Sequence, residues 1–192
     1  VDFVFHLAAE KHNQSKNTPY ECFRSNINGT FSLLESCVRS QVKKVVYASS
    51  LYVYGRMEKP PFVETEVPHP STVYGISKLA GEHLLEYFAK YHKLDYGCVR
   101  YLFVYGPLQF TGSGYESVIV KNFRRMLRGE PAIVCGDGNQ EMDYIFVDDA
   151  VEAMVEVLLA NGTPDVFNVG SGVGISINQL TDVMIEVLGS SV

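Results

Sequence analysis

Five segments alternate between two hydrophobic periods, and that alternation restricts the fold more than any other feature of the chain. Val1 to Leu7 and Lys43 to Ser50 are short β-branched and aromatic runs of the kind buried on both faces of a parallel sheet. Between them apolar residues recur at Cys22, Phe23, Ile27, Phe31, Leu34 and Val38, which predicts a helix opened by Pro19 and running to about Ser40. A second helix is predicted over about 72–92, burying Leu79, Leu84, Leu85 and Phe88, and a third strand over Tyr96 to Tyr101. Strands separated by single crossover helices build a doubly wound parallel sheet, so the expected class is α/β. Ligands in such sheets lie beyond the carboxyl ends of the strands, where Ala8-Ala9, Ser49-Ser50 and Leu102 to Gly106 are expected to converge.

Glu10 to Thr18 and Leu51 to Val73 read as loops, the latter because Gly55, Pro60, Pro61, Pro68 and Pro70 interrupt it. Past Gly106 the pattern changes to a loop over Pro107 to Gly114 and a helix over Ser117 to Arg128. Short strands at Ile133 to Cys135 and Asp143 to Val147 flank the Gly136-Asp137-Gly138 turn. Asp148 or Asp149 can cap a helix through Leu159, Val166 to Val169 is a strand, and Ser176 to Gln179 forms a capping box for a helix to Leu188. The expected organisation is one domain from residues 1–104 and 147–170, and part of a smaller mixed α/β domain from 105–146 and 171–192.

Composition excludes several functions. A formal charge of −6 with no long basic run argues against nucleic acid or an anionic membrane as the main partner. No apolar run reaches the ~20 residues of a membrane span. The cysteines Cys22, Cys37, Cys98 and Cys135 are widely spaced with no Cys-x-x-Cys pair, which predicts reduced core thiols in a cytoplasmic protein and no metal site.

Chemistry concentrates at Tyr74-Gly75-Ile76-Ser77-Lys78. On a helix Tyr74 and Lys78 share a face one turn apart, so the ammonium can lie beside the phenol. A neighbouring cation favours the phenolate and is expected to pull the phenol, ordinarily near pH ~10, toward the working range. Ser50 ends the second strand beside that helix, which allows a Ser50, Tyr74, Lys78 proton-transfer unit for oxidising an alcohol. The bare spacing also fits an amphipathic helix with an exposed lysine, Ser49 and Ser50 fit a turn, and Asn26 fits a solvated mid-helix position or an inward amide.

Val4-Phe5-His6-Leu7-Ala8-Ala9, Asn26-Ile27-Asn28-Gly29-Thr30, Ala48-Ser49-Ser50 with Val53-Tyr54-Gly55, Tyr74 to Lys78, Arg100-Tyr101 with Val104-Tyr105-Gly106-Pro107, Gly136-Asp137-Gly138, Val147-Asp148-Asp149 and Phe167 to Gly172 occur in that order. Taken together this resembles the extended short-chain dehydrogenase/reductase family, in the NAD-dependent epimerase/dehydratase branch typified by UDP-glucose 4-epimerase. The resemblance implies a Rossmann-like NAD domain with catalytic Ser50, Tyr74 and Lys78. It places Leu7, Ala8, Ala9, Lys11, Asn26, Ser49, Tyr74, Lys78, Tyr101, Phe103 and Val104 against the cofactor. The implied reaction is transient oxidation of a sugar hydroxyl in a nucleotide sugar, a UDP-sugar above others, followed by re-reduction. It also implies a homodimer through the helices at about 19–40 and 72–92.

Departures from the family pattern refine these expectations. The Gly-x-x-Gly-x-x-Gly fingerprint is absent and the chain starts at Val1, so it is expected to be an internal piece lacking front strands and the end of the substrate domain. Phe103 and Met142 stand where many relatives carry phosphate-contacting Asn and Arg; Lys121, Arg124, Arg125 and Arg128 form the nearest basic stripe. Leu51 and Tyr52 occupy the places of the acidic pair of 4,6-dehydratases, which favours epimerisation or dehydrogenation over dehydration. A cofactor-binding regulator on the same fold is the reading from a different class.

Overall fold

Local sequence signals decide the helix termini. Thr72 caps the long helix by accepting a hydrogen bond from the Gly75 amide at 3.1 Å, and Ser117 and Ser176 cap two others in the same way. The computed structural model describes residues 1–55, 61–109, 116–160 and 165–189. Their elements are β1 (Phe3–His6), α1 (His12–Asn17), α2 (Pro19–Phe23), a π-helical turn (Arg24–Asn28), α3 (Gly29–Arg39) and β2 (Lys44–Ser50). After a 3-10 turn (Leu51–Val53) follow α4 (Val73–His92), β3 (Asp95–Tyr101), β4 (Phe103–Tyr105), α5 (Val118–Met126) and β5 (Glu141–Phe146). The chain continues with α6 (Val147–Leu159), β6 (Asp165–Val169), β7 (Gly174–Ser176) and α7 (Ile177–Leu188).

The chain divides into two compact units, residues 1–102 with 148–169 and residues 103–147 with 170–192. In the first, β1, β2, β3 and β6 form a four-stranded sheet in that order, every pair parallel. One face is covered by α3 and α4: Leu34, Cys37, Leu85 and Phe88 pack on Val45, Tyr47, Tyr96 and Cys98. Successive strand residues point to opposite faces, so Gly97 faces away from Cys98, and there α6 comes so close that a Cβ on Gly97 would lie 2.2 Å from Val157 Cγ1. Helices on both faces of a parallel sheet make this the doubly wound α/β arrangement that the hydrophobic periods predict. In the second unit, β4 pairs with β5 in parallel and β5 with β7 antiparallel, making a mixed three-stranded sheet.

Several expectations need correction. Residues 12–17 are helical rather than loop, with Ser15 buried and its hydroxyl donating to the His12 carbonyl. The helix expected from Pro19 to Ser40 is interrupted by the π-turn at 24–28. No strand forms at Ile133 to Cys135; instead the buried Asn122 amide bonds both the N–H and the carbonyl of Ile133, taking the place of a neighbouring strand. β1 is largely exposed, with Phe3 and Phe5 in contact with solvent, because β2 is its one partner among the described residues. Cys135 is exposed rather than a core thiol, whereas Cys22, Cys37 and Cys98 are buried; all four are free. Parts of two expected loops, residues 56–60 and 110–114, lie outside the described residues.

The Gly97 contact yields a stability prediction. Gly97→Ala should destabilise the protein by about 1–3 kcal/mol through overpacking against α6. Val157→Ala in the same chain should recover part of that loss, read as urea midpoints; simple addition of the two costs would show that the contact does not limit packing.

Candidate functional site

The carboxyl end of β2 and the start of α4 are held together by backbone approach. Gly75 sits where an added Cβ would come within 2.3 Å of the Tyr52 carbonyl oxygen, so a side chain there would push the turn after Ser50 away from Tyr74. That closeness brings the Ser50 hydroxyl near enough to the Tyr74 phenol to act on its pKa. Ser50 Oγ also accepts from the Tyr52 amide at 3.4 Å.

Lys78 is 3% exposed, and its ammonium donates to the Ala48 carbonyl at 2.7 Å. Its Nζ lies 5.8 Å from the centroid of the Tyr74 ring and 4.9 Å from that of Tyr47. Burial pushes Lys78 down to about 8, while Cys98, Cys22 and Glu82 oppose that shift. Burial pushes the Tyr74 phenol up to about 12, against a hydrogen bond from Ser50 that lowers it. The expectation that the cation brings the phenol down is therefore overturned among the chain's own groups: desolvation of the phenolate outweighs the stabilisation available to it.

Behind this trio runs a buried polar network. The Glu82 carboxylate takes the Arg100 guanidinium at 2.7 and 3.0 Å and accepts from the Ser49 hydroxyl. Arg100 Nη1 donates to the Tyr54 hydroxyl at 2.8 Å, and that hydroxyl donates to Asn168 at 2.7 Å. Burial works against the Arg100 charge, but the bonds and charge of Glu82 prevail and leave its pKa raised. The Asn168 backbone N–H in turn donates to Glu64 at 2.7 Å, and its side-chain amide donates to the Phe62 carbonyl at 3.2 Å.

A second cluster surrounds Asn26, which the π-turn directs inward. Its amide oxygen accepts from the Glu10 N–H at 2.7 Å, while its nitrogen donates to the Glu10 carbonyl at 3.1 Å and to Ser77 on α4 at 2.9 Å. The inward reading of Asn26 is the one observed, and its partners are main chain and α4. His6 bonds Thr30 at 2.8 Å and is lowered to about 4, by burial first and the Lys78 charge second. His12 stacks on Tyr52 with centroids 4.2 Å apart, and both rings meet Tyr74 edge-on.

The structure thus brings together Ser49, Ser50, Tyr74, Lys78 and Asn26. Leu7, Ala8, Ala9 and Lys11 are exposed just past β1. Tyr101 donates its hydroxyl to the Ala150 carbonyl on α6 at 2.9 Å. Phe103 and Val104 lie in β4 of the second unit, where Phe103 packs on Tyr144 with centroids 5.8 Å apart. In that unit Met142 accepts from the Tyr144 hydroxyl at 3.3 Å, and Asp143 binds Ser171 and Gly172 main-chain amides at 2.7 and 2.8 Å. The three arginines of the basic stripe on and just past α5 are ion-paired: Arg124 to Glu116, and Arg125 and Arg128 to Glu130.

Sequence reasoning missed the Glu82 to Arg100 pair, His12 and Tyr47. A charged residue inside the apolar Gly97 to Tyr101 run was the available signal for the first, since such a charge requires a buried partner. His12 gave none, because the six-residue helix it opens is too short to show a period. Among the described residues no helix is long and apolar enough to cross a membrane, and no cluster of metal-ligating side chains occurs.

A family profile described as the NAD dependent epimerase/dehydratase family matches residues 1–170. The chain is 32% identical over 192 residues to a putative UDP-glucose 4-epimerase of Methanocaldococcus jannaschii, covering 98% of this chain and 62% of that protein. It is 31% identical over 190 residues to dTDP-glucose 4,6-dehydratase of Streptomyces griseus, covering 98% of this chain and 57% of the other. Among solved structures, the UDP-glucose 4-epimerase of Thermotoga maritima with UDP-glucose superposes with a TM-score of 0.92 at 38% identity, covering 100% of this chain and 62% of that one. The chain therefore spans less than two thirds of the length of these relatives.

Two outcomes test the site's framework. Arg100→Met should cost about 3–5 kcal/mol by leaving the Glu82 carboxylate buried and unpaired, and Glu82→Leu added to it should recover most of that loss. Full additivity in urea unfolding would show that the pair is not coupled. The unfolded chain protonates His6 below its ordinary 6.5 and the folded chain only near 4, so stability should fall as pH drops across that window. His6→Asn should remove on the order of 2 kcal/mol of that acid-side loss, read from unfolding free energies at pH 7 and pH 4.5.

Proposed function

Because the chain belongs to the NAD-dependent epimerase/dehydratase family, we propose that the whole protein is an NAD-dependent nucleotide-sugar epimerase of the 4-epimerase type. The observation that carries this reading is the Ser50 hydroxyl beside the Tyr74 phenol, with Lys78 buried one turn along α4 and its Nζ 5.8 Å from the Tyr74 ring centroid. The residues present suit the cofactor: Ala8 and Ala9 offer small, exposed side chains beyond β1, and the adjacent end of β2 carries Ser49 and Ser50. We assign the cofactor contacts to Leu7, Ala8, Ala9, Lys11, Tyr74, Lys78 and the end of β3 at Tyr101. Asn26, bonded to Glu10 and Ser77, is assigned to bracing the start of α4.

NAD, when bound, supplies the hydride acceptor and later the donor. In its ionised form Tyr74 takes the proton from the sugar hydroxyl, and Ser50 holds that oxygen in line with the phenolate. Lys78 keeps a positive charge beside the ring, which favours the phenolate over the neutral form. The resulting keto-sugar turns in the site, presents its other face, and its oxygen regains the proton from Tyr74. Dehydration is the second reading, because a dTDP-glucose 4,6-dehydratase is among the relatives. Leu51 and Tyr52 at the places of the dehydratase acids favour epimerisation.

We also propose a cytoplasmic homodimer. Tyr20 and Phe23 on α2, Phe31 on α3, and Tyr87 and Tyr91 on α4 are exposed aromatic residues on the two helices expected to pair. Phe88, by contrast, belongs to the core.

In the full-length protein, incubation with UDP-, GDP- and dTDP-sugars should give an epimer without net NADH. Tyr74→Phe should lower kcat by about 10²–10⁴-fold with cofactor binding retained. A 4-keto-6-deoxy product would establish the dehydratase instead, and identical behaviour of both proteins would overturn the catalytic reading.

A further inference from the structure

Lys78 is a buried cation, and among the described residues no carboxylate lies within ion-pair distance of it. The groups around it come from every neighbouring element. From α4 there are Tyr74 and Glu82, the latter already bonded to Arg100 of β3. Cys22 of α2, Cys98 of β3 and His6 of β1 interact with it electrostatically, the two thiols acting to raise its pKa and His6 being itself held neutral at ordinary pH. β2 supplies the Ala48 carbonyl at 2.7 Å and the ring of Tyr47, whose centroid is 4.9 Å from Nζ. The Tyr47 ring is thus the nearest aromatic face to the ammonium, closer than that of Tyr74 at 5.8 Å.

Tyr47 is 1% exposed, and its hydroxyl has no hydrogen-bond partner among the described residues. A buried phenol is ordinarily held by its hydroxyl, so the feature in use here is the ring face. Room for it comes from α4: a Cβ on Gly81 would stand 2.3 Å from the Tyr47 hydroxyl oxygen and 2.6 Å from Cζ. Gly81 is one turn past Lys78, on the same face of the helix.

We propose that Tyr47 is a positioning residue of the site, its ring face holding the Lys78 ammonium charged and in place beneath Tyr74, with Gly81 providing the space the ring requires. This rests on the assignment of Lys78 to the proton-transfer unit. A desolvated ammonium over a tyrosine face is attracted by the ring quadrupole, an effect that needs no hydroxyl and that an aliphatic side chain cannot supply. Without the face, burial acts on Lys78 with less opposition, so the ammonium loses its proton at lower pH.

The test titrates Lys78 directly in the full-length protein labelled with [ε-13C]lysine, its signal assigned by Lys78→Met, in wild type, Tyr47→Phe, Tyr47→Leu and Gly81→Ala. Wild type should titrate at about 8. Tyr47→Phe should keep that midpoint, and Tyr47→Leu should lower it by about one pH unit. Gly81→Ala, which displaces the ring without removing it, should shift the midpoint in the same direction and serves as the deciding variant if Tyr47→Leu does not fold. The alkaline limb of the kcat/KM profile should move with the midpoint. An unmoved midpoint in Tyr47→Leu, or in Gly81→Ala where that is the folded variant, overturns the proposal even if the enzyme turns over. A shifted midpoint with no turnover in wild type supports the role of Tyr47 and instead sinks the epimerase reading.

Discussion

Burying the Glu82 carboxylate and the Arg100 guanidinium between α4 and the sheet is the constraint on which the site depends. Taking both ions out of water costs several kcal/mol each, and only near-ideal geometry with every remaining valence bonded offsets that cost. The pair meets the condition through two short parallel bonds, with Ser49 and Tyr54 taking the remaining positions. A bidentate bond tolerates little rotation or sliding of the helix that bears it. Glu82 lies one turn past Lys78 and two past Tyr74, so the pair also fixes the angle at which those side chains leave α4. The same network continues through Tyr54 to Asn168 on β6, and from there to the segment at Phe62 and Glu64. Two apolar side chains could bury as favourably, but they would leave the rotation of α4 to packing alone.

Within that frame, burial drives Tyr74 and Lys78 in opposite numerical directions for one reason: each is pushed toward its neutral form. With the chain's own groups present, Lys78 titrates near 8 and Tyr74 near 12, so the lysine gives up its proton first on the alkaline side. The phenolate is therefore not stored in the chain. What the chain stores is geometry: a hydroxyl from Ser50 beside the phenol, and an ammonium bonded to the Ala48 carbonyl with the Tyr47 and Tyr74 rings 4.9 and 5.8 Å away. His6, buried close by, stays neutral at ordinary pH and adds no competing positive charge.

The order of strands and crossover helices was legible because hydrophobic period distinguishes strand from helix over five or more residues, as at Lys43 to Ser50 and 72–92. The placing of Tyr74 and Lys78 on one face of a helix was legible because helix spacing translates directly into position. What was not legible has physical causes. The helix at 12–17 is too short to show a period, and its placement rests on Ser15 and the Asn26 bonds to Glu10, which join residues sixteen apart. The exposure of β1 depends on which strands flank it, which no property of Val1 to Leu7 encodes. The sign of the shift at Tyr74 depends on how much water the fold removes, and sequence neighbours report charge but not desolvation.

The Arg-Glu pairs of the two units show how context divides one chemistry into two uses. On and just past α5, Arg124 and Arg128 pair with Glu116 and Glu130 at the surface, where high dielectric and side-chain entropy leave such contacts worth about 0–1 kcal/mol. An incoming anion could replace those carboxylates at little cost, so pairing does not remove the stripe from use. Arg100 and Glu82 are the same two residue types placed where no water can substitute for either, and their exchange is prohibitive. The buried pair therefore fixes a shape, while the exposed pairs leave charge available.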